Sequence, residues 1–261
     1  MTEPAIKHER AMKRRQFLKG AFGAASLMAL TGCDNLTQSR WLPSILNKTE
    51  RLTERVQRAI TPTNALAKEY GDADISKVFP ANGSIDPGTE DYAGHVAKHF
   101  SEWTVEVGGL VQTPMSWSLA ALKALPSRTQ ITRHDCVEGW SAIGKWTGVP
   151  LGDLMHAVQP LPSAKFSVFY CADVDDEGVA YYESMALADC YHPQTMLAYE
   201  LNGNPLDVPH GAPLRLRFER QLGYKHAKYV MRIELVETPA GIGGGKGGYW
   251  EDQGYEWYAG I

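Results

Sequence analysis

Residues 134–141, HDCVEGWS, set one cysteine, Cys136, among charged neighbours with a glycine three positions on. Four roles are open to such a thiol: half of a disulfide, a buried apolar filler, a nucleophile or a metal ligand. The chain of 261 residues carries only three other cysteines, Cys33, Cys171 and Cys190. No C-x-x-C is present, which argues against a zinc ribbon or a thioredoxin-type site, and no C-x-x-C-H, which argues against covalent c-type haem. Iron–sulfur spacing is missing as well. If Cys33 is taken elsewhere, three cysteines remain, and an odd number leaves at least one free thiol or ligand. Pairing of Cys171 with Cys190 stays open and would single out Cys136.

The amino terminus offers a place for Cys33, with a plain transmembrane anchor or a chance cysteine as the alternative. Lys13–Cys33, KRRQFLKGAFGAASLMALTGC, has a basic start, an apolar run too short to span a bilayer comfortably, and a cysteine at its end. Arg14-Arg15 followed by Phe17-Leu18-Lys19 resembles a twin-arginine export signal. Leu30–Cys33, LTGC, resembles a bacterial lipoprotein cleavage box, which makes Cys33 a candidate lipid anchor, and Asp34 resembles an inner-membrane retention signal. Twin-arginine export carries folded proteins and is used where a cofactor is inserted first, so the address itself hints at a cofactor. The expected location is the periplasmic side, tethered to the inner membrane.

Charge removes one class of partner. Residues 1–33 hold six basic and two acidic residues, so the rest has 20 basic and 28 acidic, a net of −8. Nucleic-acid binding leans on phosphate neutralisation, and such an acidic domain is a poor candidate for it.

Four segments are expected: the signal at 1–33, a linker and helical arm at 34–74, the main domain at 75–237, and a glycine–aromatic tail at 238–261. Apolar residues spaced by threes, fours and sevens predict an amphipathic helix from Ile45 to Ile60, with a second short one over Ala65–Tyr70. Phe79–Tyr92 is polar and glycine-rich, a loop that serves as a surface excursion or a cofactor lid. Downstream the pattern is mixed α/β with a strand bias. Strands are expected over Trp103–Val111, the TQITRHD run, Lys165–Cys171, PLRLRFER and Lys228–Glu237. Helices are expected over Ser116–Leu125, capped by Ser116, and over Pro150–Val158. Asn202-Gly203 marks a hairpin turn. The tail, Ala240–Ile261, has eight glycines and five aromatics. It lacks a P-loop, and its G-x-G-x-x-G (Gly243, Gly245, Gly248) is followed by aromatic and acidic residues rather than a helix pattern. It is read as a flexible tail packing on the domain, or as a pocket wall or partner surface.

Four ordered motifs carry a family resemblance. CVEGWS (Cys136–Ser141) resembles the metal-ligand stretch of the sulfite oxidase family of molybdenum–molybdopterin enzymes, in particular its methionine sulfoxide reductase branch. YHPQTMLAYELNG (Tyr191–Gly203), HGAPLRL (His210–Leu216) and GYKHAKYVMRIEL (Gly223–Leu235) resemble that family's pterin-holding strands, in the same order. The resemblance covers roughly residues 75–237. It implies the sulfite oxidase-type fold, a molybdenum–molybdopterin cofactor, and Cys136 as the metal ligand. It also implies that Asn82, His210, Arg215, His226, Ala227 and Lys228 line the cofactor, with Ala227 giving only backbone. Cys171 stands where the reductase branch has a cofactor-contacting threonine, a departure that unsettles that contact. A soft thiolate suits a high-valent metal, and Arg215 offers a planar fork to the cofactor's phosphate.

The expected activity is oxygen-atom transfer. Trp140 stands where sulfite-oxidising relatives have an anion-binding pattern, and its apolar wall suits a neutral S-oxide better than sulfite. Expected partners are a small-molecule or protein-bound oxide and a membrane or soluble cytochrome that exchanges electrons. Sulfite dehydrogenation is the alternative within the enzyme class. A membrane-tethered binding lipoprotein without metal is the alternative outside it.

Overall fold

The computed structural model describes residues 64–261 and the isolated positions 52, 55, 56 and 59. The export segment, the linker and, but for those four positions, the helix expected over 45–60 lie outside the described residues. Within them the class is mixed α/β and strand-rich, as expected, and is built on two sheets.

The first sheet has the order β2-β1-β10-β5-β6, from β1 (Thr104–Gly109), β2 (Met115–Ser118), β5 (Phe166–Val174), β6 (Ala180–Ala186) and β10 (Val230–Val236). β10 runs parallel to β1 and antiparallel to β5. The second has the order β3-β4-β7-β8, from β3 (Arg128–Asp135), β4 (Ser141–Pro150), β7 (Met196–Leu201) and β8 (Asn204–Pro205), and β9 (Arg215–Arg217) adds to β7. The larger core lies against the first sheet. Helix α3 (Leu151–Val158) feeds it with Leu151, Leu154, Met155 and Val158, all fully buried. That spacing is one face of a helix, and each such side chain contributes about 2 kcal/mol of apolar burial. A smaller cluster of Phe79, Trp146, Met196 and Leu206 belongs to the second sheet.

Two backbone devices shape that second sheet. A Cβ on Gly148 would come within 2.2 Å of the Leu197 carbonyl oxygen, so only glycine lets β4 approach β7 there. Asn202 and Gly203 both have positive φ, 55° and 81°, which closes the β7–β8 hairpin with the turn its sequence announced. The two sheets meet where β9 lies beside the chain that enters β10. Leu216 N–H donates to the Ala227 carbonyl (2.7 Å) and Val230 N–H to the Leu214 carbonyl (3.1 Å).

Several expected elements shift. Ala65–Tyr70 is extended, not helical: Gln194 bonds both the N–H and the C=O of Ala67, and Glu69 bridges to Thr132 on β3. Pairing with a sheet edge outweighs the weak helical preference of six residues. The helix expected from Ser116 begins later. Residues up to Ser118 pair with β1 as β2, and α2 (Leu119–Ala124) is capped by Ser118, whose hydroxyl accepts from Ala121 N–H. Helix α1 (Glu90–Ala97), capped by Thr89, takes the end of the expected polar loop. The strand in PLRLRFER is only three residues long.

The tail is folded. Its glycine run wraps one carboxylate: Gly244 N–H and Lys246 N–H donate to Asp252 at 2.7 and 3.0 Å, and the Tyr182 hydroxyl adds a third bond at 2.5 Å. A Cβ on Gly243 or Gly244 would collide with that carboxylate. Asp252, from the short helix α5 (Tyr249–Asp252), thus takes the N–H donors a phosphate would have used.

Candidate active site

Cys136 sits at the tip of the β3–β4 hairpin. The strands pair up to Asp135 and Ser141, and the residues between close a tight turn. Cys136 N–H donates to the Trp140 carbonyl (2.9 Å) and Gly139 N–H to the Cys136 carbonyl (3.0 Å), with Gly139 at φ 91°. The sulfur is buried yet opens onto a cavity of about 530 Å³. Burial pushes the thiol above its ordinary value, so coordination or a cation is needed to hold it as thiolate. Asn82 points its amide at the sulfur, 3.8 Å away.

Two cationic side chains also line the cavity, Arg215 and Lys228. Arg215 is buried, donates to the His210 carbonyl (3.0 Å), and has an Nε with no partner. Among the described residues it has no ion pair. Burial, with repulsion from Arg217, pulls its guanidinium down to about 9. Its neighbour Arg217 is neutralised, by two bonds to Glu219 at 2.9 and 2.8 Å, and it also donates to His134 Nδ1 (2.9 Å). Both guanidinium groups lie over Trp146, at 5.0 and 4.3 Å from the ring centre. Lys228 also lines the cavity, and its ammonium grips the Asn82, Ser84 and Pro209 carbonyls. Burial and the Arg215 charge lower it to about 7. Among the described residues no cluster of three or more His, Cys, Asp or Glu is arranged for a metal ion. Of the residues lining the cavity, Cys136 alone carries sulfur.

Residues 93–241 match the model of the oxidoreductase molybdopterin-binding domain. This chain belongs to the sulfite oxidase family of molybdopterin-binding oxidoreductases. It is 38% identical over 247 residues to the putative protein-methionine-sulfoxide reductase subunit YedZ1 of Azospira oryzae, covering 95% of this chain and 87% of that one. It is 41% identical over 147 residues to the protein-methionine-sulfoxide reductase catalytic subunit MsrP of Xanthomonas axonopodis pv. citri, covering 52% of this chain and 46% of the relative. The MsrP of Ralstonia nicotianae is 33% identical over 194 residues, 69% of this chain and 58% of the relative. The chain thus spans about half the length of these two MsrP relatives. As an oxidoreductase domain of this family it is an enzyme, and the domain implies a molybdenum cofactor.

The cavity of this oxidoreductase domain fits such a group. A buried guanidinium without a counter-ion is expensive, and a phosphate would neutralise it. The lone thiol, the unpartnered Arg215 Nε and a cavity of about 530 Å³ are features an anionic pterin carrying a metal requires.

The sequence-selected residues do not all reach the cavity. Asn82, Cys136, Arg215, His226 and Lys228 line it. His226 is buried, with both ring nitrogens engaged, by Phe218 N–H (3.4 Å) and the Gln221 carbonyl (3.1 Å). Four others lie outside its lining. His210 has its ring held by Asp207 (2.5 Å) and the Phe79 carbonyl (2.9 Å), and it meets Arg215 through its own carbonyl. Ala227 is buried and spends its carbonyl on β9. Cys171 is buried in the larger core, a free thiol like Cys190, so the two do not pair. Trp140 packs on Phe79 and His134, and its indole N–H donates to Glu138 (3.0 Å). Val137 and Glu138 are the hairpin residues that flank the cavity beside Cys136.

Sequence reasoning missed other lining residues. Asp173, two positions beyond Cys171 on β5, is buried with an unpartnered Oδ1, and burial lifts its carboxyl to about 6. The alternation of β5 could have flagged it, since residues two apart share a face. Tyr181 and Tyr224 line the cavity as well; Tyr224 lies inside the GYKHAKY motif but was not picked out of it, and no motif marks Tyr181.

Proposed function

We propose that the protein is an exported, membrane-tethered reductase of S-oxides or similar neutral oxides, in which Cys136 ligates molybdenum. The carrying observation is the pairing of one buried thiol with an uncompensated buried arginine across a single cavity. When bound, the cofactor supplies two-electron chemistry coupled to oxygen-atom transfer. The chain's own part is positional. Arg215 holds the cofactor phosphate, His210 orients Arg215 through its carbonyl, and Lys228 clips the loop carrying Asn82 against the sulfur. Cys171 and Ala227 support this frame from the core, and Trp140 braces the hairpin that carries Cys136.

Reduction of a sulfoxide to a thioether consumes two electrons and two protons and releases water. The electrons are assigned to a separate cytochrome, either a membrane subunit or a soluble protein. Support comes from the names of the relatives, which are reductase subunits rather than whole reductases. The signal at 1–33 and Cys33 carry the export and anchoring reading, and the boundaries at 34–74, 75–237 and 238–261 belong to the same proposal.

The test is direct. Purified protein from a molybdate-replete host is expected to hold about one molybdenum per chain and, once reduced, to turn over methionine sulfoxide. Turnover of sulfite alone would reverse the direction of the reaction. Absence of molybdenum from the wild type would sink the enzyme assignment of Cys136.

A further inference from the structure

The segment beyond the family match, 242–261, supplies one side of the cavity. Five rings follow one another there. Tyr181 and Tyr249 have centroids 5.6 Å apart, Tyr249 and Trp250 5.4 Å, Trp250 and Tyr255 5.2 Å, and Tyr255 and Tyr224 5.2 Å. All five line the cavity, and three belong to the tail. The arc is anchored from behind. Lys225 donates to Glu251 of α5 and to Glu183, each at 2.5 Å, and all three side chains are buried. The Tyr249 hydroxyl donates to Asp175 (2.7 Å) and the Tyr224 hydroxyl to the Glu256 carbonyl (2.6 Å).

Carboxylates share the cavity with these rings. Glu138 and Asp176 line it and are exposed to solvent. Asp173 lines it from within, 5% exposed, with Oδ1 bonded to nothing. Ring faces carry negative potential and attract cations, and thioether-like sulfur packs well against ring edges. Carboxylates among the rings reinforce the attraction for positive charge.

We propose that this arc is the specificity wall of the enzyme: the rings receive the alkyl arms of a sulfoxide, and the carboxylates select one whose neighbouring groups are positively charged. Methionine sulfoxide flanked by lysine in a peptide has that chemistry. The proposal rests on the oxide-reducing reading of the same cavity, and adds to it the residues and the sign of charge that choose the substrate.

The test uses the molybdenum-loaded enzyme and two peptides with a central methionine sulfone, one flanked by lysines and one by glutamates, with binding followed by calorimetry. The wild type is expected to bind the lysine peptide more tightly, and the difference shrinks as salt rises. Tyr255→Ala, at a ring that is 38% exposed, is expected to weaken both peptides about tenfold while molybdenum per chain stays unchanged. Trp250→Leu, which keeps an apolar side chain, should act in the same direction. Asp176→Asn should narrow the charge preference and leave the glutamate peptide no weaker. Equal binding of the two peptides by the wild type overturns the proposal. So does unchanged affinity in both ring variants, or a loss of molybdenum from them, which would assign the arc to the cofactor. Wild type that binds the sulfone peptides but reduces no sulfoxide overturns the reductase reading and leaves the wall standing.

Discussion

The side-chain amide of Asn82 stands 3.8 Å from the sulfur of Cys136, across 54 residues of chain. Lys228 holds it there by gripping the Asn82 and Ser84 carbonyls, and the Tyr229 hydroxyl adds a bond to Ser84 (3.1 Å). The two residues therefore report on different things. Cys136→Ser is expected to remove nearly all bound molybdenum, because hydroxyl is a far poorer ligand than thiolate for a soft site. Lys228→Met should lower molybdenum content only in part, while the amides of residues 82–84 exchange hydrogen faster. Metal analysis and hydrogen-exchange mass spectrometry measure the two effects. Full molybdenum retention in Cys136→Ser would remove the cysteine from the metal.

Lys225 is a single buried ammonium shared by two buried carboxylates, Glu183 and Glu251. Burial works against its charge, yet the two glutamates together raise it above its ordinary value. Burial, with repulsion from Glu251, pushes Glu183 well up. Fully ionised, the group would carry one negative charge too many, and burial together with that excess favours the protonated form of Glu183. Lys225→Met strands both carboxylates and should cost about 3–5 kcal/mol in urea unfolding. Glu251→Gln leaves a one-to-one pair and should cost far less. Equal losses in the two variants would show that packing, not charge, governs the site.

Much of the framework was legible in the sequence, and the reason is local chemistry. Leu151, Leu154, Met155 and Val158 declare their helix by spacing, and Asn202-Gly203 declares its turn by conformation. Cys136 and Arg215 were singled out by the family resemblance of CVEGWS and HGAPLRL, since a lone thiol or a strand arginine by itself leaves several roles open. Strand β4 was not read, since Gly144, Lys145 and Gly148 interrupt its pattern, although Gly148 is there because β7 comes so close. The short helix expected over Ala65–Tyr70 failed because its partner, Gln194, lies more than 120 residues away. The tail's place in the cavity wall depends on Lys225 finding Glu251, a contact no local pattern encodes.

Asp173 links the cavity to pH. Burial raises its carboxyl from 3.8 to about 6, opposed in part by Lys228. Between those values the folded protein binds more protons than the unfolded chain, so stability falls as pH rises through the window. Above about pH 6 the penalty is complete, on the order of 2–3 kcal/mol in the cofactor-free protein. Asp173→Asn should therefore be more stable than the wild type at pH 8 and no more stable at pH 4. Melting curves at the two values decide it, and a variant less stable at pH 8 would mean that the carboxylate has a partner in solution.

Arg215 and Arg217 share a strand, a face and the Trp146 ring, yet their truncations should have opposite consequences. Arg217 is paired with Glu219 and bonded to His134, so Arg217→Met leaves a buried carboxylate with only the neutral Gln130 amide and no cation, and should destabilise the protein by about 3–5 kcal/mol. Arg215 has no counter-ion among the described residues, and its Nε bonds to nothing. Removing that charge relieves a desolvation penalty, so cofactor-free Arg215→Met should unfold at the same denaturant concentration as the wild type or a higher one. The same substitution should sharply reduce molybdenum content, because the phosphate loses its fork. Urea midpoints together with molybdenum per chain test the contrast. If Arg215→Met proved as damaging as Arg217→Met without cofactor, its charge would be serving the fold rather than waiting for an anion.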